Sequence, residues 1–202
     1  MKYLYATAIV LTAAIFLSAC EPESPLDETY TVQVIDGDEV LVGKETRLMW
    51  QSYDPDNVIT YLKQITSDKA DQYCADLEWA GFLDWRLPTI DELRAMVEGY
   101  PDLEPGGRCK VTEKCLEYPC KDKGAKEDND HPCAHDENKA TGPGPAGCYW
   151  ETVWRDKFCG PHWSTSPVEN GTGERWVLNF YDPAIFIVVE NAGTAFPRCV
   201  RK

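Results

Sequence analysis

The chain has 202 residues, with 20 basic against 34 acidic side chains and a formal net charge of −14, so its surface repels nucleic acid and anionic membranes. Hydrophobic residues make up 43%, which excludes a wholly disordered chain and suffices for one domain of ordinary size. Nine cysteines are too many for a reducing cytosol and point to an oxidising compartment.

Met1-Lys2 supplies a short basic start, and Tyr3 to Leu17 is an uncharged apolar run of 15 residues. That run is shorter than the ~20 residues of a spanning helix and fits the apolar core of a signal peptide. Leu17-Ser18-Ala19-Cys20 follows and resembles the lipobox of bacterial lipoproteins. The resemblance implies a signal peptide over residues 1–19, cleavage before Cys20, and lipid on the Cys20 thiol, since a thiolate attacks a lipid carbon better than a hydroxyl does. Several acyl chains together give stable anchoring. Residues 20–30 then hold the lipidated cysteine and a tether rich in proline and acid, whose ten residues after the cysteine reach at most ~36 Å. The expected location is the bacterial cell envelope, at the outer membrane or cell surface, with the membrane as a partner through Cys20.

The domain is expected over 31–202. Thr31 to Ile35 alternates in the manner of a strand, Asp36-Gly37-Asp38 is a turn, and Glu39 to Val42 is a second strand. Thr46 to Gln51 (TRLMWQ) is apolar enough to enter a core. Ser67 to Gly81 predicts a helix: Ser67 is placed to cap it, Ala70, Tyr73, Cys74, Leu77 and Ala80 share a face, and Gly81 stops it. Asp84 to Pro88 is a short extended link. Thr89-Ile90-Asp91-Glu92 has the pattern of a capping box before a second helix over 90–97.

Residues 98–148 form an insertion with five Cys, seven Gly and six Pro. With so few large aliphatic residues it is not expected to hold itself by packing, and disulfides are the natural substitute. After Cys148 the pattern turns aromatic. Strands are predicted at Trp163–Ser166, Arg175–Tyr181, Ile185–Val189 and Phe196–Val200, with turns at Asn170-Gly171, Asp182-Pro183 and Asn191-Ala192-Gly193.

Several segments in this order resemble the Lcl C-terminal domain family. They are Thr46-Arg47-Leu48-Met49-Trp50-Gln51, Tyr73-Cys74, the block Asp84-Trp85-Arg86-Leu87-Pro88-Thr89-Ile90-Asp91-Glu92-Leu93, Trp163-Ser164-Thr165-Ser166-Pro167, Trp176 to Asp182, and Arg198-Cys199-Val200-Arg201. The ten-residue block is the most specific. The resemblance implies an α+β, C-type lectin-like fold: two helices packed on a twisted, mostly antiparallel sheet, with both chain ends adjacent and a long disulfide-rich loop insertion. It also implies a disulfide between the first helix and the last strand, which falls on Cys74 and Cys199.

With Cys20 on lipid, the other six cysteines are Cys109, Cys115, Cys120, Cys133, Cys148 and Cys159. Three bridges among them are expected, with their pairing open. The rival is a metal site at His131-Pro132-Cys133-Ala134-His135 beside Asp128, Asp130 and Asp136. No CxxC pair accompanies it, and oxidising export consumes thiols, so no metal is expected. The acidic run from Glu127 to Asp130 lacks the spacing and glycine of a calcium loop.

Calcium-dependent sugar binders of the lectin superfamily carry Glu-Pro-Asn and Trp-Asn-Asp motifs, and neither occurs after residue 30. The formylglycine-generating oxidases, related in fold, use a cysteine pair with copper, which this chain offers no clear place for. No phosphate loop, HExxH or GxSxG is present. The chain is therefore expected to be no enzyme, with no catalytic residue and no cofactor. Trp50, Trp85 and Trp176 are expected in the core. Trp150, Trp154 and Trp163, with His162, lie beside the insertion and are candidate anchors for a ligand, since tryptophan offers wide contact area at low entropy cost. The expected role is binding or display toward an extracellular protein or glycan. The alternative is a structural or assembly subunit of an envelope complex.

Overall fold

A computed structural model describes residues 30–52, 63–117, 132–134, 141–155 and 158–202. The expected signal segment, Cys20 and the expected tether up to residue 29, Cys120, His131, His135 and the acidic run 127–130 lie outside the described residues. The architecture is α+β with two antiparallel sheets, where one sheet is expected from the resemblance. The first has the order β1 (Tyr30–Ile35), β2 (Asp38–Gly43), β3 (Met49–Gln51), β7 (Val200–Arg201). The second has the order β4 (Pro161–Pro167), β5 (Glu174–Asn179), β6 (Ala184–Val189).

The β1–β2 hairpin follows from its turn. Asp36 and Gly37 take φ values of 51° and 94°, the left-handed pair of a two-residue turn whose twist matches the strands. Each sheet sends residues into a core on both of its faces. Leu41, Trp50 and Val200 enter one apolar cluster with Trp176, Leu178 and the second helix. Val40, Cys199 and Val177 enter the other with Ala70, Cys74, Trp85 and Leu87. Strand residues alternate in direction, so β5 feeds Trp176 and Leu178 to one core and Val177 to the other. Trp50, Trp85 and Trp176 are buried.

The first helix, α1 (Ser67–Ala75), is shorter than its apolar spacing predicts, and its N-cap is Thr66 rather than Ser67. Tertiary hydrogen bonds hold the chain that follows it. The Ala80 N–H donates to Asp38 Oδ2 at 2.8 Å and Trp79 Nε1 donates to the Glu39 carbonyl at 2.9 Å. These hold a turn in which Ala80 and Gly81 take φ values of 54° and 75°. No α-helix continues through such angles. A bridge joins Cys74 of α1 to Cys199, with Cα atoms 5.4 Å apart.

The second helix, α2 (Ile90–Arg94), opens on a complete capping box: Thr89 accepts from the Glu92 N–H while Glu92 accepts from the Thr89 N–H. Arg86 grips the same Glu92 carboxylate with two N–H groups, at 2.7 and 2.8 Å. The box is thus fixed by an ion pair from three residues upstream. Past Arg94 the backbone tightens to i→i−3 bonds at Met96 and Val97, so the helix stops short of the predicted 97.

The Asp84–Leu93 block earns its place by joining the sheets. Arg86 exchanges both backbone bonds with Val200 of the first sheet, and the Thr165 N–H of the second donates to the Pro88 carbonyl at 2.8 Å. Residues 195–199 make a second stitch. The Trp163 N–H donates to the Phe196 carbonyl, and the Gln51 N–H donates to the Cys199 carbonyl. The predicted strand 196–200 is reduced to Val200–Arg201, because Pro197 has no N–H for a ladder.

Candidate functional site

The described parts of the insertion, residues 98–117, 132–134 and 141–148, lie as a cap over the end of α2 and the second sheet, and one side chain organises the first of them. Arg94, only 2% exposed, donates Nε to the Leu103 carbonyl and Nη1 to the Val111 carbonyl, both at 2.8 Å. Its Nη2 donates to the carbonyls of Glu104, at 2.8 Å, and Cys109, at 3.2 Å. Burial draws its pKa down from the ordinary arginine value, opposed by the charge of Asp91. Four carbonyls of a segment with little regular structure are thereby satisfied by one guanidinium.

Two bridges complete the cap: Cys109–Cys133 and Cys148–Cys159, with Cα separations of 4.7 and 5.7 Å. Cys115 is also disulfide-bonded. The cap contributes more apolar packing than its composition suggests. Leu103 and Val111 are fully buried, and Leu116 nearly so, in the same cluster as Trp176. It borrows the scaffold's core instead of building one.

Two serines of β4 fasten the sheet to itself and to the cap. Ser164 Oγ donates to the Trp176 carbonyl at 2.6 Å. Ser166 Oγ accepts the first N–H of α2, from Ile90, at 2.8 Å and donates to Glu113 of the cap. Glu113 in turn donates its N–H to Asp91 at 3.2 Å. This chain of bonds positions backbone.

The aromatic candidates are corrected by their burial. Trp150, Trp154 and Trp163 are each 0% exposed and His162 is 1% exposed, so none presents a face to a ligand. Nor do they form one group. Neighbouring strand residues point to opposite sides, and Trp163 lies in the cluster with Cys74, donating Nε1 to the Ile65 carbonyl at 2.7 Å. Trp150, Trp154 and His162 do come together. Trp154 stands edge-on to Tyr30 and Trp50, with centroids 5.1 and 5.9 Å away. Trp150 lies 5.9 Å from the His162 ring and 5.0 Å from Phe180. The Arg198 guanidinium covers both indoles at 4.8 and 4.9 Å from their centroids, a buried cation on aromatic faces. The apolar area that suggests anchors in the sequence is spent on joining the cap to the first sheet.

His162 is held neutral. Burial pushes its pKa well below the usual histidine value, the nearby Arg198 charge adds to that, and a bond to the Gly160 carbonyl opposes both. Since a carbonyl only accepts, Nδ1 carries the proton at 2.8 Å from that oxygen. The ring also lies 5.4 Å from Phe180 and 5.7 Å from Phe196, centroid to centroid.

The exposed aromatics are ones that sequence reasoning passed over. Phe158 is 42% and Tyr181 51% exposed. They flank the Cys148–Cys159 bridge on neighbouring segments, because the Phe180 N–H donates to the Cys159 carbonyl and the Tyr149 N–H to the Phe180 carbonyl. Tyr181 sits in a turn ordered by Asn179, whose Oδ1 accepts its N–H at 3.0 Å. No local signal separates these two rings from buried ones. Only the path of the cap does.

Among the described residues no group of three or more metal-ligating side chains is assembled, and no helix is long and apolar enough to cross a membrane.

Fold and site define a disulfide-stapled α+β domain whose two sheets carry a clamped loop cap. The chain belongs to the Lcl C-terminal domain family, whose model matches residues 39–201, from β2 to β7. Searches among curated proteins and among solved structures returned no match.

Proposed function

We propose that this protein is a lipid-anchored lipoprotein of the bacterial cell envelope whose domain binds a ligand outside the cytoplasm. Residues 1–19 are its signal peptide, Cys20 carries the lipid and the tether spaces the domain 31–202 from the membrane. The domain is C-type lectin-like in fold. The partner is an extracellular protein or glycan, at the outer membrane or cell surface, and the domain performs no catalysis.

The observation that carries the reading is the way the described part of the cap is held in place. Arg94 fixes four of its carbonyls, and bridges at Cys109–Cys133 and Cys148–Cys159 lock its two halves. A surface ordered before binding loses little entropy when it binds, and loops on a rigid scaffold are where recognition is placed. Phe158 and Tyr181, exposed beside the second bridge, replace the buried tryptophans as the candidate contact residues.

The test uses the full chain in detergent, probed on a glycan array and against immobilised matrix and envelope proteins. Saturable binding that a Phe158→Ala, Tyr181→Ala double variant loses, with its melting unchanged, is the expected result. Binding that survives this variant removes the aromatic face. An absence of any saturable binding removes the recognition role. Membrane attachment is read separately, by loss of membrane association in Cys20→Ala.

A further inference from the structure

Strand β1 lies outside the family match, which starts at residue 39, and forms the outer edge of the first sheet. Its sequence, YTVQVI, carries no charge in a chain of net charge −14. Hairpin geometry decides which of its backbone groups are free. A two-residue turn with left-handed Asp36 and Gly37 is closed by a hydrogen-bonded pair, here Ile35 and Asp38. Bonded and non-bonded pairs alternate in an antiparallel ladder. Gln33–Val40 and Thr31–Val42 are therefore bonded too, and Tyr30, Val32 and Val34 turn their N–H and C=O groups outward.

The Tyr30 N–H bears this out, meeting Glu151 Oε2 at 3.5 Å. Among the described residues, the outward groups of Val32 and Val34 meet nothing. Their side chains share one face and are 37% and 69% exposed. An uncharged edge strand with open backbone groups and bare β-branched side chains is a template for another strand.

We infer that β1 pairs with β1 of a second copy, antiparallel about a twofold axis at Gln33, joining two four-stranded sheets into one. The segment Thr31-Val32-Gln33-Val34-Ile35 reads nearly the same in both directions, as an isologous contact requires. In this register Val32 stands opposite Val34 of the second copy and exchanges both backbone bonds with it, as does its symmetry mate. The four valines cover one another on one face. The two Gln33 amides meet on the other.

The contact is far smaller than the ~1,200 Å² of a stable complex, so it depends on local concentration. The inference thus rests on the lipid-anchored reading. Nine residues separate Cys20 from Tyr30, the first residue of β1, a reach of at most ~36 Å, which holds the β1 edges of neighbouring copies in one layer above the membrane.

The experiment uses the full chain in membranes of a host that lipidates it, with Gln33→Cys and mild oxidation. In the inferred register the two introduced residues form a non-hydrogen-bonded pair with Cα atoms about 4.5 Å apart, within reach of a disulfide. A reducible species of twice the monomer mass is expected for Gln33→Cys and not for Thr172→Cys, an exposed position in the β4–β5 connection. Adding Val34→Lys to Gln33→Cys should abolish the dimer, since lysine on an edge blocks strand addition. Detergent-phase partitioning reads the anchor independently. Anchored protein that stays monomeric, or links to a species of another mass, overturns self-pairing and leaves the lipoprotein reading standing. Protein in the aqueous phase overturns the lipoprotein reading, and the inference with it.

Discussion

The two-sheet scaffold and its cap solve one problem by different means. Both must satisfy buried backbone groups. The scaffold does so by ladders, and two apolar clusters pack against its sheets, so its stability is spread over many residues. Among the described residues the cap has little strand pairing. Its carbonyls converge on Arg94, its chain is fixed by bridges, and it inserts Leu103, Val111 and Leu116 into a core built by others. Distributed support tolerates single losses. Point support makes a few residues expensive to remove and leaves the surface between them free to vary.

The comparison breaks hardest at the bridge that crosses the scaffold itself. Cys74 and Cys199 are 125 residues apart, and a cross-link closing so long a loop is worth about 5 kcal/mol in the chain-entropy model. The variant Cys74→Ala, Cys199→Ala should lower the denaturant midpoint of the whole molecule, read by tryptophan fluorescence. Removing Cys148 and Cys159, 11 residues apart, should cost about 3 kcal/mol.

Arg94→Met keeps the stem and removes the donors. Leaving several buried carbonyls without partners should cost about 3–4 kcal/mol. Hydrogen exchange should show the loss in amides of residues 99–117 while β4–β6 keep their protection. Equal loss in both regions would show that cap and scaffold unfold as one unit.

Acid sharpens the contrast at the seam. The folded protein holds His162 neutral, with its pKa below the ordinary value, so the unfolded chain binds the extra proton first. Stability from this group is complete above about pH 6.5 and falls as pH drops through that value, by at most about 1.4 kcal/mol per pH unit, until the folded pKa is reached. His162→Gln should flatten this part of the melting profile between pH 7 and pH 5, measured against wild type. The smallest effect is expected at α2, where Thr89→Ala removes the capping hydroxyl and should cost about 1 kcal/mol in thermal unfolding.

Much of the scaffold was legible in the residues. Asp36-Gly37 announces its hairpin, Thr89 and Glu92 their capping box, and the apolar face of residues 67–75 its helix. What escaped depends on groups far apart in sequence. The turn that follows α1 is held by Asp38 and Glu39, some forty residues upstream. Arg94 reads as an ordinary surface position on a short helix, and its burial exists only once the cap has folded over it. Trp150 and Trp154 look exposed because they adjoin a polar insertion, yet the cap and Arg198 enclose them. Composition near a residue does not say what covers it.

Peptide mapping by mass spectrometry of the mature, unreduced protein tests the central claim most directly, that sulfur bridges fix a cap to a scaffold exported beyond the cytoplasm. The account predicts linked peptides joining Cys74 to Cys199, Cys109 to Cys133 and Cys148 to Cys159, together with an N-terminal peptide that begins at a lipid-modified Cys20. Free thiols or other partners at those six positions, or an unprocessed N-terminus, would contradict it.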